Sequence, residues 1–263
     1  MTPCASWGLS IKEIYLFMTK LFLFGISGKM GKAIVETTRA GEGFTVTGGF
    51  DRVPHPEIKT YTDVDAVPCD FDVIVDFSRP ELLDNVIALA EKYNKGVVIA
   101  TTGYSESQLK RIEALSEKVA VLKSGNMSIG VNLLLDLVEK AAKTLKDSFD
   151  IEIIEKHHNQ KADAPSGTAM MLAEKVREVK TDAKFLYGRE GLSKRNPEDV
   201  TIHAVRGGTI VGEHDVIFAG TDEIVTLSHT ALSRKIFATG TLKAAEFIKT
   251  KKSGFYTMKN ALE

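Results

Sequence analysis

An α/β fold is predicted, with a doubly wound parallel sheet in the first half and a second α+β domain built on an open mixed sheet. Three observations predict it. Strand-type runs alternate with helix-spaced apolar stripes from Leu21 to Leu145, a glycine-rich turn joins the first strand to the first helix, and β-type runs without helical spacers begin at Val200. At 263 residues, 43% of them hydrophobic, the chain suits one large domain or two smaller ones.

Composition narrows the partners. Lys and Arg number 34 against 35 Asp and Glu, for a net charge of −1, and they are dispersed rather than blocked. This balance favours neither nucleic acid nor a membrane surface. The two cysteines, Cys4 and Cys69, form no CxxC and no metal-ligand spacing with histidine, so a reducing, cytoplasmic setting is expected. The apolar run Ile14 to Phe24 is interrupted by Lys20 and too short to span a bilayer, and Met1 to Phe17 has no basic export signal. Met18 resembles a natural start, so residues 1–17 are expected to be an extension outside the fold.

Leu21 to Phe24 is the first strand, and Gly25, Ile26, Ser27, Gly28, Lys29, Met30 and Gly31 lead into a helix running to about Ala40. Strand, glycine turn and helix form a phosphate cradle, although Ile26 stands where a GxGxxG turn has its first glycine. The second strand, Thr45 to Phe50, ends in Asp51 and Arg52, some twenty residues beyond Gly31, where a ribose-binding acid is expected. Asp51 would suit the ribose of NADH; Arg52 and Lys29 would suit the extra phosphate of NADPH. Both cofactors stay open.

Val73 to Ser78 is the next strand, and Pro80 begins a helix carrying Leu82, Leu83, Val86 and Leu89. Gly96 to Ala100 opens into Thr101, Thr102 and Gly103. Val119 to Leu122 opens into Lys123, Ser124, Gly125 and Asn126. These strand ends converge on one nucleotide crevice in a Rossmann-like sheet. Val131 to Leu145 reads as a long helix with Leu133, Leu134, Leu137, Val138, Ala141 and Ala142 as its apolar face.

Asp150 to Ile154 is a strand, and the polar run EKHHNQKADAPSGTA, Glu155 to Ala169, follows it. Histidine titrates near neutrality, so His157 or His158 can exchange a proton with a substrate. On extended backbone the two imidazoles point to opposite faces, which argues against one shared metal. Ser166 is the expected N-cap of a helix carrying Ala169, Met170, Leu172, Ala173 and Val176. The free amides at Ser166, Gly167 and Thr168, with Lys161 nearby, would bind an anion, and a small dicarboxylate fits best. Val200 to Val205, Val216 to Ala219 and Ile224 to His229 complete the second domain's sheet.

The run at Glu155 to Ala169 resembles the signature of the dihydrodipicolinate reductase family, with every fixed position of that signature present. The glycine turn, the Asp51–Arg52 pair, Asp76-Phe77-Ser78 with Arg79 and Pro80, the Thr101-Thr102-Gly103 turn and the turn through Ser124 and Asn126 are similar to it as well. Ala100 stands where the family often has glycine, and Lys123 where it often has an apolar residue. Arg206 to His214 also matches the family and is read as sheet and loop rather than catalytic machinery.

The resemblance implies an NADH- or NADPH-dependent reductase of 4-hydroxy-tetrahydrodipicolinate on the route to diaminopimelate and lysine, assembled as a homotetramer. His157 would be the acid, with Lys161 aiding proton delivery. His158, Lys161, Ser166, Gly167, Thr168 and Arg234 would hold the substrate. Gly25 to Met30, Asp51, Arg52, Phe77, Arg79, Ala100, Thr101, Thr102, Lys123, Ser124, Gly125 and Asn126 would hold the cofactor. It also implies a discontinuous first domain, 18–127 and 237–263, around a substrate domain, 128–236. Hinges would lie near Ser128 and Ile236, closing cofactor onto substrate. Another NAD(P)-dependent dicarboxylate dehydrogenase, a non-catalytic redox sensor and a zinc hydrolase using His157, His158 and Asp163 are the competing readings.

Overall fold

The computed structural model of the protein describes residues 18–41 and 43–263; the expected extension, residues 1–17, lies outside them. Two compact units result. One comprises the described residues through Ser124 together with Thr241–Glu263, and the other is Gly125–Gly240.

The first unit is a seven-stranded sheet with every neighbouring pair parallel. Its strands are β1 (Thr19–Phe24), β2 (Phe44–Phe50), β3 (Thr60–Tyr61), β4 (Val73–Asp76), β5 (Gly96–Ile99), β6 (Ala120–Lys123) and β12 (Gly254–Tyr256). Their order is β3-β2-β1-β4-β5-β6-β12. The chain travels outward from β1 to β3 and then returns to build the other half from β4, so the order reverses between β1 and β4. At such a reversal the connections leave to opposite sides, and a crevice opens beyond the carboxyl ends of the two strands.

Helices α1 (Lys29–Ala40), α2 (Leu83–Tyr93) and α3 (Glu106–Ser116) are the crossovers that a parallel sheet requires. Their starts differ. A 3₁₀ turn, Pro80–Leu82, precedes α2, whereas Ser105 and Gln108 form a capping box on α3. Strand β5, and β4 up to its last residue Asp76, are apolar because both sheet faces are covered. Phe22, Phe24, Ile74, Leu89, Val97, Ile112 and Val121 are all buried in one cluster, each side chain contributing roughly 1.5–3 kcal/mol.

The second unit has a mixed sheet of order β11-β10-β7-β9-β8. It comprises β7 (Asp150–His157), β8 (Lys184–Tyr187), β9 (Asp199–Arg206), β10 (Gly212–Ala219) and β11 (Ile224–Ala231). Strand β7 pairs parallel with β9 and antiparallel with β10. Alternation along β7 buries Ile151, Ile153, Glu155 and His157 on one face. That face packs against α4 (Ile129–Leu145) and α5 (Gly167–Val179) through Leu134, Val138, Leu172 and Val176.

Helix α4 corrects one expectation. Its core stripe is Val131, Leu134, Leu135, Val138 and Ala142, while Leu133 and Leu137 are 57% and 42% exposed. The run is apolar on more than one side, so periodicity alone could not select the stripe that meets the sheet. Helix α6 (Lys235–Lys249), then β12 and α7 (Met258–Leu262), finish the chain. A Cβ on Gly240 would overlap the Met127 carbonyl, which explains a glycine inside α6.

Candidate active site

In the first unit the reversal point is built from backbone. Gly25 has φ +80°, donates its amide to Phe50 O at 2.9 Å, and would place a Cβ 2.6 Å from Phe77 O. The ends of β1 and β4 approach so closely that a side chain has no room. A Cβ on Gly31 would overlap the carbonyl oxygens of Gly25 and Ile26, so this glycine lets α1 begin directly against the turn. Gly28 caps α1 without a side-chain hydrogen bond, and the helix has no acid in its first turn. Its amides and Lys29 therefore present an unneutralised positive end, the electrostatic requirement of a dinucleotide's phosphates. The residues fit such a group.

The other predicted cofactor residues are placed as follows. Ile26 is fully buried and fills the space left by Gly49, so only its backbone lies at the turn. The Asp51 carboxylate accepts from Ser27 N–H at 3.0 Å and Val53 N–H at 3.3 Å, bracing the glycine turn. Arg52, Arg79 and Thr102 are exposed, Phe77 and Ala100 half-buried, and Thr101 buried. Burial lowers the Lys123 ammonium below the ordinary lysine value.

Sequence reading named no role for Asp76, which is fully buried at the end of β4. Its carboxylate accepts from Ser78 N–H at 3.0 Å, from the Ser78 hydroxyl and from Tyr104 OH at 2.8 Å. Ala100 N–H donates to Asp76 O at 2.9 Å. Asp76 thus clasps the turn carrying Phe77 to the loop carrying Thr101 and Thr102. Burial raises its carboxyl above the ordinary range, opposed by these donors, and burial with Asp76 nearby raises the Tyr104 hydroxyl.

In the second unit β7 ends in the predicted acid. His157 and Glu155, two residues apart on one face, meet at 2.6 Å between Nδ1 and Oε2. Arg206, the register partner of His157 on β9, grips both Glu155 oxygens at 2.7 Å. Ser166 N–H adds a third donor at 2.9 Å. Arg206 and His157 lower the Glu155 carboxyl despite its burial, so it is ionised. Burial lowers His157 below the ordinary imidazole range, Glu155 opposes that, and Lys161 and Arg206 add to it.

The predicted anion turn is arranged around Ser166, the N-cap of α5, whose hydroxyl accepts from Ala169 N–H at 3.2 Å and lies 3.0 Å from His214 Nε2. With the Ser166 amide and hydroxyl engaged, Gly167 and Thr168 supply the first helical amides, which have no intrahelical acceptor. No atom lies within 4 Å of a Cβ built on Gly167. Lys161 pairs with both Asp163 oxygens at 2.8 Å. Asn126 donates to the Thr168 hydroxyl at 2.9 Å. His158 is half-buried one residue beyond β7, and Arg234 is exposed just before α6. Among the described residues no three His, Cys, Asp or Glu side chains are grouped to hold a metal ion.

The Arg206 to His214 run is sheet and loop, as read from sequence, and two of its residues also meet the Glu155–His157 pair. Arg206 is bound to the carboxylate that holds His157, and His214 is buried edge-to-face against His157 at 5.2 Å between ring centroids. A buried acid two residues before a histidine on a strand was the available signal; the arginine opposite becomes visible only with the register.

Known proteins resemble this chain over most of its length. The family model for the dihydrodipicolinate reductase N-terminus matches residues 19–127, and that for its C-terminus matches 130–262. A 4-hydroxy-tetrahydrodipicolinate reductase from Clostridium novyi is 47% identical, over 94% of this chain and 99% of that protein. One from Caldanaerobacter subterraneus is 46% identical with the same coverage. Among solved structures, a dipicolinate-bound dihydrodipicolinate reductase from Paenisporosarcina sp. aligns with a TM-score of 0.78 and 26% identity, covering 92% of this chain and 99% of that one. A myo-inositol dehydrogenase from Lactobacillus casei, solved with NAD(H) and myo-inositol, shares the fold at a TM-score of 0.57 and 16% identity, covering 93% and 91%.

Proposed function

The chain belongs to the dihydrodipicolinate reductase family, and from that premise we propose that it reduces 4-hydroxy-tetrahydrodipicolinate to tetrahydrodipicolinate. The substrate loses its C4 hydroxyl and a neighbouring hydrogen as water, then takes a hydride at C4 and a proton at the adjacent ring carbon, while NAD(P)H is oxidised to NAD(P)⁺. The observation that carries this reading is the Glu155-held imidazole of His157 beside the anion-binding start of α5.

A bound nicotinamide dinucleotide supplies the hydride. The chain's own part is binding and proton control. The amides of Gly25 to Met30 and the start of α1 cradle its phosphates, while Asp51 and Arg52 meet its adenosine ribose. Arg79, Thr101, Thr102, Lys123, Ser124 and Asn126 serve its nicotinamide half.

Gly167 and Thr168 N–H groups, His158 and Lys161 bind the substrate's two carboxylates, with Arg234 available to one of them. Binding requires Lys161 to exchange Asp163 for a substrate carboxylate, a swap of one charge-assisted pair for another. His157 protonates the reduced ring, and Lys161 assists proton delivery. A general acid of this kind contributes about 10²–10⁴ in rate.

The setting is cytoplasmic lysine and diaminopimelate synthesis. Exposed Leu133, Leu137, Val205 and Ile224 on the second unit support assembly as a homotetramer. The test is oxidation of NADH and of NADPH by the purified chain, with substrate generated in place by the synthase that condenses pyruvate with aspartate semialdehyde. Turnover requiring both enzymes is expected, and the ratio of the two rates assigns the cofactor preference. Cofactor binding without turnover would overturn the reading.

A further inference from the structure

We propose that Glu155 and Arg206 are positioning residues for the reduction: Arg206 clamps Glu155, and Glu155 holds a proton on His157 Nδ1, so that Nε2 alone exchanges a proton with the substrate. The argument rests on counting donors. Glu155 has no exposed side-chain surface and receives two guanidinium N–H bonds from Arg206 at 2.7 Å and the Ser166 amide at 2.9 Å. None of these partners can accept a hydrogen bond. A carboxylate surrounded by donors is ionised and can only accept from His157, so Nδ1 at 2.6 Å must be the N–H.

The other nitrogen is left for chemistry. His157 Nε2 lies 3.1 Å from where a Cβ on Gly212 would be, so the glycine leaves that side of the ring uncrowded. Arg206 does more than hold the acid. Its Nη2 also donates to Asp163 O at 2.7 Å, within the loop that leads to Ser166, Gly167 and Thr168. A single guanidinium therefore ties the proton-donating residue to the turn that binds the anion. Lysine could not do both, because it lacks the planar fork.

The charged and titratable groups facing His157 are Glu155 on β7, Lys161 in the following loop, Arg206 at the end of β9 and His214 on β10. Glu155 is the anion among them. Removing its charge destabilises the imidazolium, moves the alkaline limb of activity, where the acid is deprotonated, to lower pH and leaves less acid at neutrality.

The proposal rests on His157 being the acid, and the tests separate the two ideas. First, ¹⁵N-correlated NMR of the wild-type chain, with His157 assigned by comparison with His157→Gln, should show the Nδ1–H tautomer of the neutral ring. The Nε2–H tautomer would overturn the positioning role whatever the activity. Second, Glu155→Gln should lower kcat about 10- to 100-fold and shift the pH profile to lower pH, while KM for the cofactor stays unchanged. Arg206→Lys should fall between that variant and wild type. Wild-type kcat and pH profile in Glu155→Gln would also overturn the role, and if that variant fails to fold the wild-type spectrum decides. Wild-type turnover in His157→Gln would sink the acid assignment itself, leaving the tautomer result to stand or fall alone.

Discussion

Gly25→Ala tests the geometry of the cofactor end most directly. Two penalties combine. The residue holds φ +80°, where an L side chain costs about 1–2 kcal/mol. The new methyl would sit 2.6 Å from Phe77 O and 3.0 Å from Phe77 C, well inside the roughly 3.3 Å of a tolerable carbon–oxygen approach. Relieving that overlap means separating the ends of β1 and β4, an overpacking cost of about 1–3 kcal/mol. The total, roughly 2–5 kcal/mol, is a large part of a typical domain's 5–15 kcal/mol. At about 2–4 °C per kcal/mol, the melting temperature should fall by roughly 4–20 °C. If the moved backbone is the phosphate cradle proposed above, cofactor affinity should weaken by at least about tenfold, the equivalent of some 1.4 kcal/mol. Differential scanning calorimetry and cofactor titration read the two effects. Gly167→Ala is the control for melting: its Cβ would meet no atom within 4 Å, and stability should change by less than about 0.5 kcal/mol. A Gly25→Ala protein that melts with wild type and binds cofactor normally would refute the steric reasoning.

Two further outcomes follow from buried polar groups. His214 is lowered to about 4, chiefly by burial with a contribution from His157, so the unfolded chain binds its proton more tightly than the folded one. Stability should therefore be full above about pH 6.5 and fall as pH drops toward 4, by roughly 3 kcal/mol from this group, with His157 and His229 acting in the same direction. Urea titrations across that range should show a shallower loss in His214→Gln; an identical slope would contradict the assignment. Asp76→Ala should cost roughly 2–4 kcal/mol in the same assay, because Tyr104 OH and the Ser78 donors lose their acceptor, and a change under about 0.5 kcal/mol would show that Asp76 does not hold the loop.

Much of the architecture could be read from local pattern. The alternation of apolar strands with amphipathic helices specified a doubly wound sheet, because a parallel pair needs a crossover and a buried strand needs apolar residues on both faces. Strands β3, β8 and β12 escaped because they are short, and their places at or near sheet edges depend on a neighbour's register. The face of α4 escaped for another reason. Val131, Leu133, Leu134, Leu135, Leu137 and Val138 satisfy more than one helical stripe, and the choice belongs to the sheet beneath, where Ile153 and Phe218 wait.

The site divides along the same line. His157, Lys161 and Ser166 to Thr168 stand within twelve residues of one another, so the candidate site can be picked out in a single run of letters, although the Ser166 amide, expected to be free for an anion, is bound to Glu155. Arg206 stands far along the chain and looks like the first residue of a glycine turn. Its role exists only because β9 pairs parallel with β7 in a register that sets Arg206 opposite His157. A shift of one residue would turn its side chain to the other face and leave Glu155 a buried charge without its cation. Register in this sheet is therefore part of the chemistry: the same alternation that buries Ile151 and Ile153 carries Glu155 and His157 onto the core face, and the guanidinium that neutralises the acid arrives from the next strand.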